Sequence, residues 1–226
     1  MRIPTLATLA AVVLLPTIAF AAASTPAAVP KTTAPASAAR NDGDQTAVFA
    51  GGCFWGMEAV FERLRGVRSV EAGYTGGKAT TAHYEVVSTG LTGHAESIFV
   101  RFDPKQISYR QLLDVYFGVA HDPTTKNRQG NDVGPQYRSE IFYASLDQRH
   151  VAEATIAKLD AAHAYPAPIV TELAPLGAFY PAEAYHQHYA DLHPDDAYIR
   201  YVDEPKIAAL DKQFASLERS ALAKRS

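Results

Sequence analysis

Residues 46–66 read TAVFAGGCFWGMEAVFERLRG, and the way this stretch divides decides the fold. Thr46 to Gly52 is a short run of small and apolar residues ending in two glycines, the pattern of a buried strand. From Phe54 onward the apolar residues fall at Phe54, Met57, Val60, Phe61 and Leu64. That is one face of a helix, with Gly66 as its stop. Cys53, the single cysteine among 226 residues, stands at the joint. A helix start presents free N–H groups and the positive end of the dipole, so this position predicts a lowered thiol pKa. Gly51 and Gly52 let a ligand approach the backbone, and Phe54 and Trp55 set an apolar wall beside the sulfur.

Outward from this joint, VRSVEAGYTGG (67–77) and AESIFVRFDP (95–104) read as strands, the second alternating Ile98, Val100 and Phe102 against Phe99 and Arg101. ISYRQLLDVYFGVA (107–120) reads as a helix with Ser108 as its N-cap. SEIFYA (139–144) is a further strand. It runs into a helix over 145–164 in which Ser145 and Gln148 have capping-box spacing. PIVTELAPL (168–176) alternates like a strand, PAEAYHQHYADL (181–192) reads as a short helix with Pro181 near its first turn, and a terminal helix starts at Pro205. Interleaved strands and helices argue for a layered α/β or α+β domain. Two stretches, 77–94 and 121–138, break the rhythm. Their tyrosines, histidines and carboxylates predict ordered site loops rather than disorder.

The formal charge of −3 and pI near 6.2 give no basic field, so nucleic acid is not an expected partner. After Arg2, an apolar run broken by Pro16 closes on small residues, predicting a signal peptide over 1–23. Cleavage would leave no stable membrane insertion, and the protein is expected to be exported, periplasmic or secreted. Residues 24–45, rich in Pro, Ala, Ser and Thr, read as a flexible linker to a domain over 46–226. In an oxidising compartment a lone cysteine cannot close a disulfide within its own chain. Cys53 is therefore either an inert buried side chain or a reactive thiol.

Other residues could complete a site around it. Glu96, where a glycine loop enters a strand, is either a solvated strand-end carboxylate or a desolvated proton donor. Tyr84 and Tyr137 either pack in the core or donate hydrogen bonds. Asp132 either closes a turn through its own backbone or faces a ligand. A metal is not expected: on a helix, His186 and His188 would point to different faces, and no second cysteine exists to complete a thiolate site. The G-x-S-x-G elbow and the GxxxxGK[ST] loop are both absent.

GGCFWGMEAVFERLRGV, GYTGG, YEVVSTGLTGHAES, HDPTTKNRQGNDVGPQYRS and FYPAEAYHQHY resemble, in order and spacing, the signature blocks of the type A peptide methionine sulfoxide reductases. The similarity spans roughly residues 46–200, and five linked blocks are far more specific than one. The resemblance implies a two-layer, ferredoxin-like α+β sandwich, a mixed sheet covered by helices. It implies reduction of the S epimer of methionine sulfoxide, free or in oxidised proteins, with no bound metal, flavin or nicotinamide. Cys53 would be the nucleophile and would pass through a sulfenic acid. Glu96 would protonate the departing oxygen, Tyr84 and Tyr137 would donate hydrogen bonds to it, and Asp132 would orient substrate or water. Phe54 and Trp55 would receive the methyl group.

The chain departs from a common family pattern: it lacks resolving cysteines near its C-terminus, and Ser88 stands where some relatives have another. The expected reductant is therefore an external thiol, thioredoxin-like, glutaredoxin-like or a small molecule, acting on a monomer. Two other readings stay open. One is a cysteine acyltransferase or hydrolase using Cys53 with His94 as base, and the other is a non-catalytic exported module that binds oxidised or methionine-rich peptides.

Overall fold

A computed structural model describes residues 43–219. The leader expected over 1–23, most of the linker and residues 220–226 lie outside the described residues. The strand-to-helix division of the opening stretch holds. Strand β1 (Gln45–Gly51) passes through Gly52 and Cys53 directly into helix α1 (Phe54–Glu62). β2 (Val67–Thr75), the short α2 (Tyr84–Val87) and β3 (Ala95–Phe102) come next. Helix α3 (Tyr109–Val115) runs on as a π turn over Tyr116–Ala120. A small hairpin, β4 (Arg128–Gln129) and β5 (Asp132–Val133), precedes β6 (Ser139–Tyr143) and α4 (Leu146–Ala161). β7 (Glu172–Pro175), β8 (Phe179–Pro181), α5 (Tyr189–Leu192) and α6 (Glu204–Gln213) complete the chain.

The main sheet has six strands in the order β7-β6-β1-β3-β2-β8. Its inner four, β6-β1-β3-β2, are antiparallel and are linked as β-α-β-β-α-β, the ferredoxin-like weave. β7 adds parallel to β6 and β8 antiparallel to β2, which makes the sheet mixed. The expected α+β class is the observed one. Alternation along β1 sends Ala47 and Phe49 to the helical face and Val48 and Ala50 to the reverse. Both faces are buried, which is why this strand reads as an unbroken apolar run. One cluster joins Phe49, Ile98 and Tyr74 of the sheet to Val60, Leu112, Ala152 and Leu210 of α1, α3, α4 and α6. Phe49 lies 5.4 Å from the Phe61 ring and 5.0 Å from Tyr116.

Ser108 caps α3 as its position predicts. Its Oγ accepts from Gln111 N–H at 3.2 Å and Gln111 Oε1 accepts from Ser108 N–H at 2.9 Å, a box contributing about 1 kcal/mol. At α4, Ser145 Oγ accepts from Gln148 N–H, but the return bond reaches Ala144 N–H instead.

Two readings need correction. The strand expected over 168–176 shortens to β7, because Val170 N–H bonds to Pro123 instead of a sheet neighbour. The helix expected over 181–192 is broken. Pro181 closes β8, a 3-10 turn covers Ala184–His186, and His188 turns left-handed at φ 54° before α5. Gln187 enforces the break: its side chain takes the Ala72 N–H at 2.9 Å and gives hydrogen bonds to the Ala72 and Ala182 carbonyls. Two of those bonds tie the segment to β2. None of the described helices is long and apolar enough to cross a membrane.

Candidate active site

Cys53 is the N-cap residue of α1 and is only 8% exposed. Gly52 before it has φ +95°, and a Cβ there would come within 2.8 Å of Gln129 on the β4–β5 hairpin. A glycine at this point lets the turn lie against the 121–138 loop. On the other side, a Cβ at Gly56 would collide with the Asp203 carboxylate and the Lys206 ammonium. The start of α6 therefore presses on the first turn of α1.

Glu96 comes from β3, opposite Tyr74 of β2 on the helical face. It is 2% exposed, and its Oε2 accepts the Phe54 N–H at 3.2 Å, next in sequence to Cys53. Burial pushes this carboxyl up to about 8; Asp132 adds to the rise and the Phe54 hydrogen bond offsets part of it. Glu96 thus keeps its proton at neutral pH.

The lowered thiol pKa expected from the helix start is not what forms. Burial, then the charges of Glu96 and Asp203, push the Cys53 thiol well above its ordinary value, against the Trp55 backbone N–H and Lys206. Desolvation outweighs a dipole that acts only over the first turn.

Tyr84 and Tyr137 are half-buried and come from the two loops. Each is anchored through its backbone: Tyr84 N–H donates to Glu183 Oε1 at 3.0 Å, and Tyr137 N–H donates to the Gly134 carbonyl. Burial and the charges of Glu96 and Cys53 raise both phenols, so they stay protonated and able to donate. Asp132 of β5 accepts from Tyr198 O–H at 2.5 Å and bears on Glu96 and both tyrosines. Glu96 and the two tyrosines are therefore within electrostatic reach of both Cys53 and Asp132.

The two aromatic candidates differ. Trp55 is half-buried, stacked on Tyr189 at 3.8 Å with Tyr198 edge-on. Its indole N–H donates to His186 Nδ1 at 3.1 Å. Phe54 is 1% exposed and packs behind, 5.0 Å from the His186 ring and 5.8 Å from Tyr74.

His94 does not join them. Its Nδ1 accepts the Gly77 N–H at 3.3 Å and its Nε2 lies 3.0 Å from the Lys78 carbonyl, so both ring nitrogens brace the 77–94 loop. That removes the base required by the acyltransferase reading. The one group of possible metal ligands among the described residues, Glu58, Glu62 and His188, lies further along α1 and excludes Cys53.

Residues 45–218 match the family model for peptide methionine sulfoxide reductase. The chain belongs to this family. A peptide methionine sulfoxide reductase MsrA 2 of Mesorhizobium japonicum is 51% identical over 175 residues, covering 77% of this chain and 90% of that protein. The MsrA of Thermus thermophilus is 51% identical over 176 residues, covering 78% and 98%. Among solved structures, reduced Mxr1 from Saccharomyces cerevisiae is similar with a TM-score of 0.63 and 34% identity, over 70% of this chain and 90% of that one. Methionine sulfoxide reductase A of Corynebacterium diphtheriae is similar with a TM-score of 0.59 and 37% identity, over 68% and 77%. Like its relatives, this reductase is an oxidoreductase acting on methionine sulfoxide.

Several residues that shape this candidate site were given no role in it by sequence reasoning. Glu183 binds both the Tyr74 O–H at 2.9 Å and the Tyr84 N–H, clamping a loop to the sheet. His186 underlies Trp55 and sits 4.5 Å from the Tyr84 ring, kept neutral by burial. Tyr198 and the Asp203–Lys206 pair come from a tail whose composition resembles any surface helix. Only Glu183 and His186 carried a signal, since both lie within the FYPAEAYHQHY block.

Proposed function

We propose that Cys53 reduces methionine sulfoxide by a proton relay through Glu96, and that the S epimer is the one accepted, free or within oxidised proteins. The observation that supports this most is the Phe54 N–H to Glu96 hydrogen bond, which holds a protonated carboxyl beside the thiol. With Oε2 engaged by that N–H, Oε1 carries the proton and gives it to the sulfoxide oxygen. The Cys53 sulfur bonds to the substrate sulfur, and the thiol proton replaces the one that Glu96 has given. No standing thiolate is needed, which fits a thiol whose pKa is raised. Oxygen then passes to Cys53, leaving methionine and a sulfenic acid: the substrate sulfur gains two electrons and the cysteine loses two.

Tyr84 and Tyr137 donate to the oxygen as its charge grows. Such donors stabilise the transition state more than the ground state. Asp132, held by Tyr198, orients substrate or water. Trp55, backed by Phe54, receives the S-methyl group.

An external thiol then condenses with the sulfenic acid, releasing water and forming a mixed disulfide; a second thiol frees Cys53 and leaves as the disulfide product. The lone cysteine makes this donor obligatory, and a thioredoxin-like or glutaredoxin-like protein or a small thiol fits. We place the reaction outside the cytoplasm, in a monomer released by cleavage of the leader.

A chiral assay of racemic methionine sulfoxide with DTT tests the proposal. The S epimer is consumed by the wild type and untouched by Cys53→Ser. Consumption of both epimers, or activity in the variant, contradicts it.

A further inference from the structure

Along α1, two turns of helix carry a second constellation that the reduction does not use. Glu58 and Glu62 share one face at i, i+4 spacing, and His188 closes over them from the loop before α5. One ligand atom from each lies within 4.8 Å of the other two.

The pieces are held as a site rather than as a surface ion pair. Glu58 is 1% exposed, and its Oε2 accepts the His188 backbone N–H at 2.8 Å. Its Oε1 is buried and has no hydrogen-bond partner among the described residues. That orphaned oxygen points at His188 Nδ1, 3.8 Å away, while the same nitrogen lies 2.7 Å from Glu62 Oε1. An imidazolium can satisfy Glu62 but leaves Glu58 Oε1 beyond hydrogen-bond reach. Asp191 and Glu71 add like charge around Glu58, although Arg63 partly answers Asp191 at 3.2 Å. His188 holds its place through the left-handed φ of 54°, which the Gln187 bonds to Ala72 enforce.

We propose that Glu58, Glu62 and His188 bind a divalent transition-metal ion of the zinc class, which ties α1 to the α5 loop. Zinc ligands lie about 2.0–2.2 Å from the metal, so tetrahedral ligand atoms stand roughly 3.4 Å apart, and small side-chain shifts bring these three to that spacing. A nitrogen with two carboxylate oxygens suits zinc better than magnesium, which demands a full octahedron of oxygens. The His188 side chain is 56% exposed, so the fourth position opens to water. The Oε2 bond from His188 N–H supplies the outer contact that fixes the Glu58 carboxylate.

Calorimetric titration of ZnCl2 into the EDTA-treated, dialysed full chain tests this, with Cys53→Ser as background so that no thiol competes. One equivalent binds, Tm rises with added zinc, and MgCl2 at equal concentration does neither. Adding Glu58→Gln or His188→Gln raises the Kd by at least about tenfold. His188 is largely exposed, so its variant keeps the test decisive if Glu58→Gln fails to fold, which circular dichroism reports. No binding heat with zinc, or an unchanged Kd in a folded variant, overturns the proposal.

Discussion

Two buried carboxyls bear on the Cys53 sulfur from different elements, Glu96 from β3 and Asp203 from the approach to α6. Burial pushes both up, but their partners differ. Glu96 accepts a backbone N–H and has no paired cation among the described residues, and it holds a proton at neutral pH. Asp203, 0% exposed, has Lys206 at 3.0 Å, and the same ammonium pulls the thiol pKa back down. A buried acid without a counter-ion becomes a proton source, whereas one with a counter-ion becomes an anchor for that cation. The site places one of each around a single sulfur.

The largest effect that would break this contrast is on the Glu96 side. Glu96→Gln keeps an acceptor for Phe54 N–H but has no proton to give, so kcat/KM falls by about 10²–10⁴-fold. In the wild type, kcat/KM declines as pH rises through about 8, where Glu96 loses its proton; the variant lacks that limb. A loss of only a few-fold, with the limb intact, would transfer the acid role elsewhere. Next come Tyr84 and Tyr137, the phenols proposed to serve the same oxygen. Tyr84→Phe and Tyr137→Phe each cost about 3 kcal/mol, roughly a hundredfold in kcat, if their hydroxyls stabilise developing charge. Losses confined to KM would demote them to packing.

The Glu96 side was legible in sequence and the Asp203 side was not, for a physical reason. Cys53, Phe54 and Trp55 sit at a strand-to-helix joint that local periodicity marks, and Glu96 enters a strand whose alternation is clear. Hydrophobic pattern and capping residues likewise place β1, α1, β3 and α3. Asp203 and Lys206 lie against the first turn of α1 because Gly56 has no side chain, a relation across the fold that no local pattern encodes. The broken helix after Pro181 fails for the same kind of reason, since Gln187 bonds to β2 rather than within its own turn. The sequence predicts a lowered thiol pKa and the fold raises it, since a helix terminus is visible in sequence and burial is not.

On the Lys206 side the effects are smaller. Lys206→Met removes the cation that counters Asp203, so Cys53 alkylation by iodoacetamide slows several-fold at a fixed pH below the thiol pKa. An unchanged rate would leave Lys206 as packing alone. The smallest effect is on stability. Glu96 binds its proton more tightly folded than unfolded, so its contribution is full below the ordinary carboxylate value of 4.5 and is lost as pH rises through about 8. Glu96→Gln therefore flattens the dependence of Tm on pH across that window, and an unaltered slope would mean Glu96 is charged in the folded protein.

The central claim, that the oxygen of methionine sulfoxide ends on Cys53 and waits there for an outside thiol, is most directly tested by a single turnover without reductant. Reduced protein mixed with excess methionine S-sulfoxide should yield one methionine per chain. Intact mass should rise by about 16 Da, one oxygen atom, placed on Cys53 by trapping with a sulfenic-acid probe. Methionine formed well beyond one equivalent without any thiol, or formed while Cys53 stays unmodified, would contradict it.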